Sequence, residues 1–474
     1  MKLKVTIFLC SAFLFLYCGK STEVTIVDDS GSILPDENAP SQTTTAEVED
    51  DFTILKLGEA SEIKTLDPLF ANTSGELRVN SLIYDGLTQL SEGGMVEPAL
   101  AKKWTISRDS LRYTFTLKEG VFYHNNIRFT SGIGKQVSTA DIVMNFERMA
   151  SISVPDNAAD LFSNIKGFNQ FHTEQTYIKI PSDRTIKSIE GISVPNDSTV
   201  GFILQKKDPN FLKKLAHPYA SVYPKESLQA DKSPIYEAIG TGGYYVAQRK
   251  KNLLILASND DYHLEQAVPN RLDIAHGLKE SDLYQQFARG ELDVLIEPGP
   301  GTVVQVTDTS GNIDPIFSSE FSIKKSDATN NIHFYYNNAS QKSQLFNYLT
   351  SQGQSFLSFD GALGSIQFPG KSQQIDTLIK TTAYIAFSEN STKVYLIDKI
   401  AEKLSSAGIN VVMNSSYAVT DDVAFSTNNF PSATPTITWK YPVYILSKTN
   451  VSGIKISSQP WNISFENTKI STVQ

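Results

Sequence analysis

Residues Asp109–Asn126 read DSLRYTFTLKEGVFYHNN. Leu111, Tyr113, Phe115 and Leu117 are apolar and alternate with Arg112, Thr114, Thr116 and Lys118. Side chains along a strand point to opposite faces in turn, so this alternation predicts a strand with one buried face. The run breaks at Glu119-Gly120 and restarts with Val121, Phe122 and Tyr123, which predicts a hairpin. His124 follows at once. By residue type it could be a base or a metal ligand, but a histidine in a turn flanked by apolar strands is more often a satisfied structural group. The stretch is therefore expected to be scaffold.

Working outward, the segment STADIVMNFERM predicts a helix. Ser138 followed three residues later by Asp141 forms a variant capping box, and Ile142, Val143, Phe146 and Met149 fall on one face. Upstream, FTILKLGEASEIKTLDPL predicts a strand and then a loop closing at Asp67-Pro68, and ELRVNSLIYDGLTQL carries Leu77, Leu82, Ile83 and Leu87 near helical spacing. Downstream, GTGGYYVAQRKKNLLILASN reads as a glycine turn and two strands, and DLYQQFARGELDVLIEPGPGT as helix, turn, strand and Pro/Gly loop. TTAYIAFSEN, STKVYLIDKIAEKLSSAG and INVVM make a βαβ unit. In its helix Val394, Ile397, Ile400 and Leu404 share a face, and Gly408 supplies the stop.

The order of these pieces resembles the N-terminal half of family 5 bacterial extracellular solute-binding proteins, the peptide- and nickel-binding lipoproteins of ABC importers. The carriers are the Leu-Asp-Pro turn at 66–68, Tyr84-Asp85-Gly86-Leu87, PALAKKW at 98–104, YTFTLKEGVFYHN at 113–125 and the STADIV helix start. GTGGYYV matches the family's Gly-Thr-Gly-Pro-Tyr turn with Gly243 in place of proline, ARGELDVLI matches a helix-to-strand step, and KIAEKLSSAGINVVM matches a second-lobe helix and strand. The resemblance covers most of 52–300 and parts of the remainder. It implies an α/β, two-lobed periplasmic-binding-protein-like fold of the large type II variety, with an extra N-terminal subdomain and a ligand held between lobes.

The departures lie in the second lobe. Where the family carries Pro-Phe-x-x-x-x-Val-Arg-x-Ala, this chain has NNASQKSQLFNYLTSQGQSFL, and no Trp-x-Ala-Asp-Tyr segment follows GINVVM. The resemblance assigns that missing aspartate to the amino group of a bound peptide. Asp421 or Asp422 could replace it, although a charged surface turn is the plainer reading. A shortened second lobe is expected, and binding should lean on backbone and aromatic groups more than on an ionic pair. By match to the family, the loop Asn72-Thr73-Ser74 and the segment Glu297-Pro298-Gly299 are the expected ligand-facing residues.

Enzyme chemistry has no positive support in the sequence. The six histidines include no pair at helical contact spacing, and no Gly-x-Ser-x-Gly elbow occurs. Gly134-Lys135 lacks the P-loop glycine, Phe129 standing in its place. The carboxylate pairs Asp260-Asp261 and Asp421-Asp422 are adjacent, so in extended chain they face apart. No cofactor and no metal are expected.

The N-terminus reads separately. Lys2 and Lys4 precede the thirteen-residue apolar run Val5–Tyr17, which suits a signal peptide and falls short of a membrane span of about 20 residues. Cys18-Gly19 after that run looks like a lipobox, apart from Tyr17 where a small residue is usual, so Cys18 is the expected lipidation site. Cys10 and Cys18 are the only cysteines; cleavage before Cys18 would leave the body with neither a disulfide nor a thiolate site. Residues 21–51 hold nine acidic residues and no basic one, the composition of a disordered tether. The chain has 42 basic and 51 acidic residues; without the tether's nine acids and the three lysines of the first twenty residues, 39 and 42 remain. A body so near neutrality has no basic field for nucleic acid.

The 474 residues thus divide, in expectation, into a signal peptide (1–17), a tether (18–51), a first lobe with its extra subdomain (52–270), a shortened second lobe (271–418) and a return to the first lobe (419–474). Chain crossings are expected near 271–275 and 415–425. The expected partners are a small solute with peptides as first candidates, ABC importer permease subunits, and a lipid bilayer on the periplasmic side reached through Cys18. The expected state is a monomer. The alternative is a degenerate family member serving as a sensory or partner-binding lipoprotein.

Overall fold

The computed structural model describes residues 53–471, without 152–153, 179, 230–233, 266–267, 309, 338–361, 364–365, 368–381, 387–390, 407, 415–424, 427–432 and 466. The expected signal peptide, Cys18, the tether, the NNASQKSQ segment beyond Asn337 and Asp421-Asp422 lie outside the described residues.

The chain enters through β1 (Ile54–Glu59) and turns at Pro68–Phe70, where Asp67 caps a short 3-10 turn by accepting from the Leu69 N–H. Helix α1 (Ser74–Ile83) starts in a full capping box between Thr73 and Glu76. Its buried face is not the leucine face expected. Val79 and Ile83 are inside together with Arg78 and Asn80, while Leu77 and Leu82 are half-buried. The hairpin β2 (Thr88–Leu90) and β3 (Val96–Pro98) follows.

The next part is a small subdomain of its own. Strands β4 (Ala101–Ile106), β5 (Arg112–Leu117), β6 (Ile192–Asn196) and β7 (Thr199–Ile203) form a sheet in the order β4-β5-β7-β6. Helices α2 (Thr139–Met149), α3 (Asp156–Phe162) and α4 (Phe168–Tyr177) lie between β5 and β6 in the chain. Tyr113, Phe115 and Leu117 enter one core with Ile142, Phe146, Phe162 and Phe202. The predicted hairpin is corrected here. Val121–Tyr123 does not return along β5 and makes only a bridge between Phe122 and Gln136; β5 instead pairs with β4 before it and β7 about eighty residues later. The Ser138–Asp141 capping box is present in full. His124 is scaffold, as expected: it is buried and its Nε2 lies 2.8 Å from the Gly242 carbonyl oxygen.

After α5 (Phe211–Lys214), the chain forms β8 (Tyr244–Lys250), β9 (Leu253–Ser258) and β10 (Arg271–His276), then α6 (Glu280–Ala288), β11 (Val294–Ile296) and α7 (Pro300–Val306). The expected Pro/Gly loop beyond β11 is therefore helical, because Pro300 suits the first helical position, where no N–H is needed. Two long strands follow, β12 (Phe321–Asn337) and β17 (Ala433–Lys448). Between them in sequence lie β13 (Ile366–Gln367), β14 (Thr382–Ala386), α8 (Ser391–Ser406), β15 (Asn410–Asn414) and β16 (Phe425–Ser426). The expected βαβ unit is formed, with β14 and β15 parallel and Ile397, Ile400 and Leu404 of α8 buried.

One sheet takes the order β15-β14-β16-β12-β17-β11-β1-β10-β9-β8, with β13 on β17. β10 is thus an interior strand between β1 and β9. β12 and β17, in the middle of this sheet, pair antiparallel over nearly their whole length. The pairing breaks between Tyr335 and Asn337, and again where Lys325 faces Tyr444 but Thr329 faces Pro442. Pro442 has no N–H to give the ladder, so a break there follows from its chemistry. Around the core strands, Leu55, Leu57, Leu254, Leu272, Ile274 and Val294 pack with Val79 and Ile83 of α1.

Candidate functional site

The carboxyl ends of the parallel strands β1, β10 and β11 come side by side, since Glu59 is in register with His276 on one flank and with Ile296 on the other. In open α/β sheets such strand ends are where ligands approach. Glu59, His276 and Glu297 are all buried there.

Arg78 reaches this edge from α1 and joins the two glutamates. Its Nη1 donates to Glu59 Oε2, and its Nη2 donates to Glu297 Oε2 at 2.8 Å and to the Pro460 carbonyl at 2.8 Å. Ser74 Oγ donates to the other Glu297 oxygen at 3.3 Å, and the Ser61 N–H donates to Glu59 Oε1 at 3.3 Å. Burial raises the Glu59 pKa, with Arg78 opposing and the Glu297 carboxylate adding to the rise. Burial works against the Arg78 charge too, but Glu59 and Glu297 overcome it and raise its pKa. Glu297 has φ of 55°, a left-handed conformation that a non-glycine residue adopts at a cost of about 1–2 kcal/mol. The node holds it there. His276 accepts from the Ile63 N–H through Nδ1 at 3.3 Å, and burial, then Arg249, lowers its pKa.

The loop before α1 is fixed from below by Glu76. Its buried carboxylate accepts from the N–H groups of Lys64 (3.0 Å), Thr65 (3.2 Å), Asn72 (2.9 Å) and Thr73 (3.3 Å). Tyr219 adds a bond from its hydroxyl to the Ala71 carbonyl at 3.0 Å. The Leu-Asp-Pro turn is tied down separately, because Arg148 of α2 donates to both Asp67 oxygens and to Tyr223 OH at 2.7 Å.

The six expected ligand-facing residues therefore divide. Ser74 and Glu297 meet directly, which unites two segments 223 positions apart. Thr73 is committed to capping α1. Pro298 and Gly299 are buried, with the Glu280 carboxylate close against Gly299 and accepting from the Thr302 N–H at 2.6 Å. Asn72 is the one of the six whose side chain is exposed. Glu59, Arg78 and His276 were not expected at this edge. The available signal was Arg78 itself, spaced one residue from Val79 and four from Leu82 in a helix that needed an inward face. Among the described residues, no group of His, Cys, Asp and Glu has metal-binding geometry, and no helix is long and apolar enough to cross a membrane.

The model of bacterial extracellular solute-binding proteins, family 5 Middle, matches residues 95–349. The chain belongs to this family. Among curated relatives, heme-binding protein A of Haemophilus influenzae is 27% identical over 225 residues, covering 46% of this chain and 38% of that protein. Di/tripeptide-binding protein 4 of Pseudomonas aeruginosa is 28% identical over 215 residues, covering 44% and 38%. The matched part of this family 5 chain thus spans about two fifths of the length of those relatives. Solved family structures extend the likeness in fold. AgaA from A. tumefaciens R10, in complex with agropinic acid, has a TM-score of 0.66 at 16% identity and covers 89% of this chain and 99% of that one. DppA from Helicobacter pylori, in complex with peptide STSA, has a TM-score of 0.64 at 15% identity and covers 88% and 98%. The fold is the two-lobed one of family 5 binding proteins, as the sequence reading expected.

Proposed function

We propose that the protein is the extracytoplasmic solute-binding component of an ABC importer, working as a monomer held to a bacterial membrane through lipidated Cys18. It takes a small solute, peptide or peptide-like, between its lobes and closes over it. Family membership and the likeness in fold to solved structures in complex with peptide STSA and with agropinic acid support this reading. The observation that carries it is the β12–β17 pair. A single two-stranded bridge with a break at Pro442 is the kind of connection that lets two lobes close by hinge motion.

The border between lobes then falls along 326–328 and 442–443, rather than at 271–275 and 415–425. Asn72, Thr73 and Ser74, with Glu297, Pro298 and Gly299 behind them, form the first-lobe wall of the cleft. On that wall Arg78 is neutralised by its own glutamates, so it is not available to a ligand carboxylate. With the family's Trp-Asp segment also missing from the sequence, free peptides lack an anchor for their amino terminus, because a buried ammonium needs a compensating carboxylate. Ligands with a blocked amino end should bind better.

Calorimetric titration with a pool of short peptides and with its N-acetylated counterpart tests this. Tighter binding of the acetylated pool is expected; tight binding of free peptides would overturn the missing-anchor argument. If neither pool binds and a protein partner is captured instead, the degenerate sensory or partner-binding role is the correct one.

A further inference from the structure

A cavity of about 480 Å³ lies in the first lobe, away from the cleft wall. Its lining comes from 81–97, 216–221, 243–268 and 455–465, and no residue of 269–454 takes part. A cleft between lobes would be lined by both, so this is a separate cavity. It opens at the end of α1 opposite the Ser74–Glu297 contact; Ser74 and Ser81 stand seven residues apart on the helix, about 10 Å. Its volume is in the range of small-molecule sites.

The chemistry of the lining is specific. Tyr84 and Tyr244 contribute to the wall while their hydroxyls are engaged elsewhere, by the carbonyls of Leu66 (2.9 Å) and Pro269 (2.8 Å). Both residues are almost fully buried, 2% and 3% exposed, so they close the floor of the cavity and show it no open ring face. Trp461 packs edge-on against His217 with centroids 5.3 Å apart. His217 Nδ1 accepts from the Tyr219 N–H at 3.1 Å, so its proton sits on Nε2, which donates to no described protein group. Burial keeps this ring neutral at physiological pH.

The charges are one-sided. Asp85, Glu92, Glu97 and Glu265 line the cavity against a single ammonium, Lys455, which already pairs with Glu92. Asp85 is satisfied by Thr241 (2.8 Å), Tyr262 (3.1 Å) and His263 (3.0 Å). Glu97 and Glu265 have no ion pair or hydrogen bond among the described residues.

We infer that this cavity is a second ligand site and that it takes a compact organic cation. The two unpaired carboxylates select its sign, and the His217 N–H meets an acceptor on the same molecule. An anion of the same size would meet the unpaired carboxylates of Glu97 and Glu265.

The test is calorimetry on the full chain, with benzyltrimethylammonium chloride as cation and sodium benzenesulfonate as anion at equal ionic strength. One equivalent of the cation should bind, and the anion should not. The double variant Glu97→Gln, Glu265→Gln changes only partly or fully exposed side chains, and its fold is checked by circular dichroism. It should weaken the cation by about tenfold, the loss expected when two screened carboxylate contacts are removed. Adding salt should weaken the parent protein and barely affect the double variant. Equal binding of both probes, cation binding that survives the double variant unchanged, or no binding of the cation at millimolar concentration would each overturn the inference.

Discussion

Arg78 is the residue on which the proposed cleft wall depends. Replacing it with Met would leave Glu59 and Glu297 buried side by side without their counter-charge. Breaking a buried ion pair from one side costs about 3–5 kcal/mol, so the urea midpoint of Arg78→Met should fall steeply. Glu59→Gln should cost much less, because burial already disfavours the Glu59 charge and Gln keeps an acceptor for Ser61. A second residue-scale expectation concerns acid. Burial depresses the His217 pKa to about 4, whereas an unfolded histidine titrates near 6.5. As pH falls, the unfolded chain therefore takes the proton first. The contribution of His217 to stability is complete above pH 6.5 and is lost as pH falls through 4, a change of roughly 3 kcal/mol. His124 and His276, also depressed by burial, act in the same direction. His217→Phe should flatten the stability profile between pH 4 and 6.5 relative to the parent chain, and an unchanged slope would show that His217 is not the titrating group.

At the scale of elements, local signals were legible and distant pairings were not. The Ser138–Asp141 capping box is visible as two residue types at the right spacing, and Ser138→Ala should cost about 1 kcal/mol in a denaturant titration. GTGGYYV was readable as a turn, but its tight requirement appears only in three dimensions. A Cβ on Gly240 would stand 1.9 Å from the Ile83 carbonyl oxygen at the end of α1. Gly240→Ala must push backbone from backbone, and an overpacking loss of about 1–3 kcal/mol is expected. The alternation of 111–117 marks β5 as a strand, yet period alone does not name a partner, and nothing near it in sequence points to β7. Arg78 was missed for a related reason. Charged residues on a helix usually face water, and nothing near Arg78 in sequence announces that Glu297, 219 positions later, will meet it. Likewise β12, with Lys324, Lys325 and three asparagines, lacks the apolar alternation of a half-buried strand.

For the whole molecule, the family resemblance draws most of its weight from residues 52–300, where the motifs are dense. The bridge of β12 and β17 emerged only from the fold. Two expectations concern the N-terminal segment. Cys18→Ser should abolish lipid labelling and release the protein from membranes, as followed by acyl labelling and fractionation. Deleting 20–50 should leave the unfolding midpoint nearly unchanged, since this acidic segment has little apolar surface to bury. The proposed motion is closure of two lobes over a solute about the β12–β17 bridge. A ligand shifts the open–closed balance only by its preference for the closed state, so the most direct measurement is small-angle scattering of the protein alone and saturated with whichever ligand calorimetry selects from the acetylated peptides, free peptides, sugars and metal chelates. A smaller radius of gyration with bound ligand, and a weaker response when Pro442 is replaced by Ala to restore the ladder N–H, is the expected result. Ligand bound at full occupancy with no compaction would contradict it.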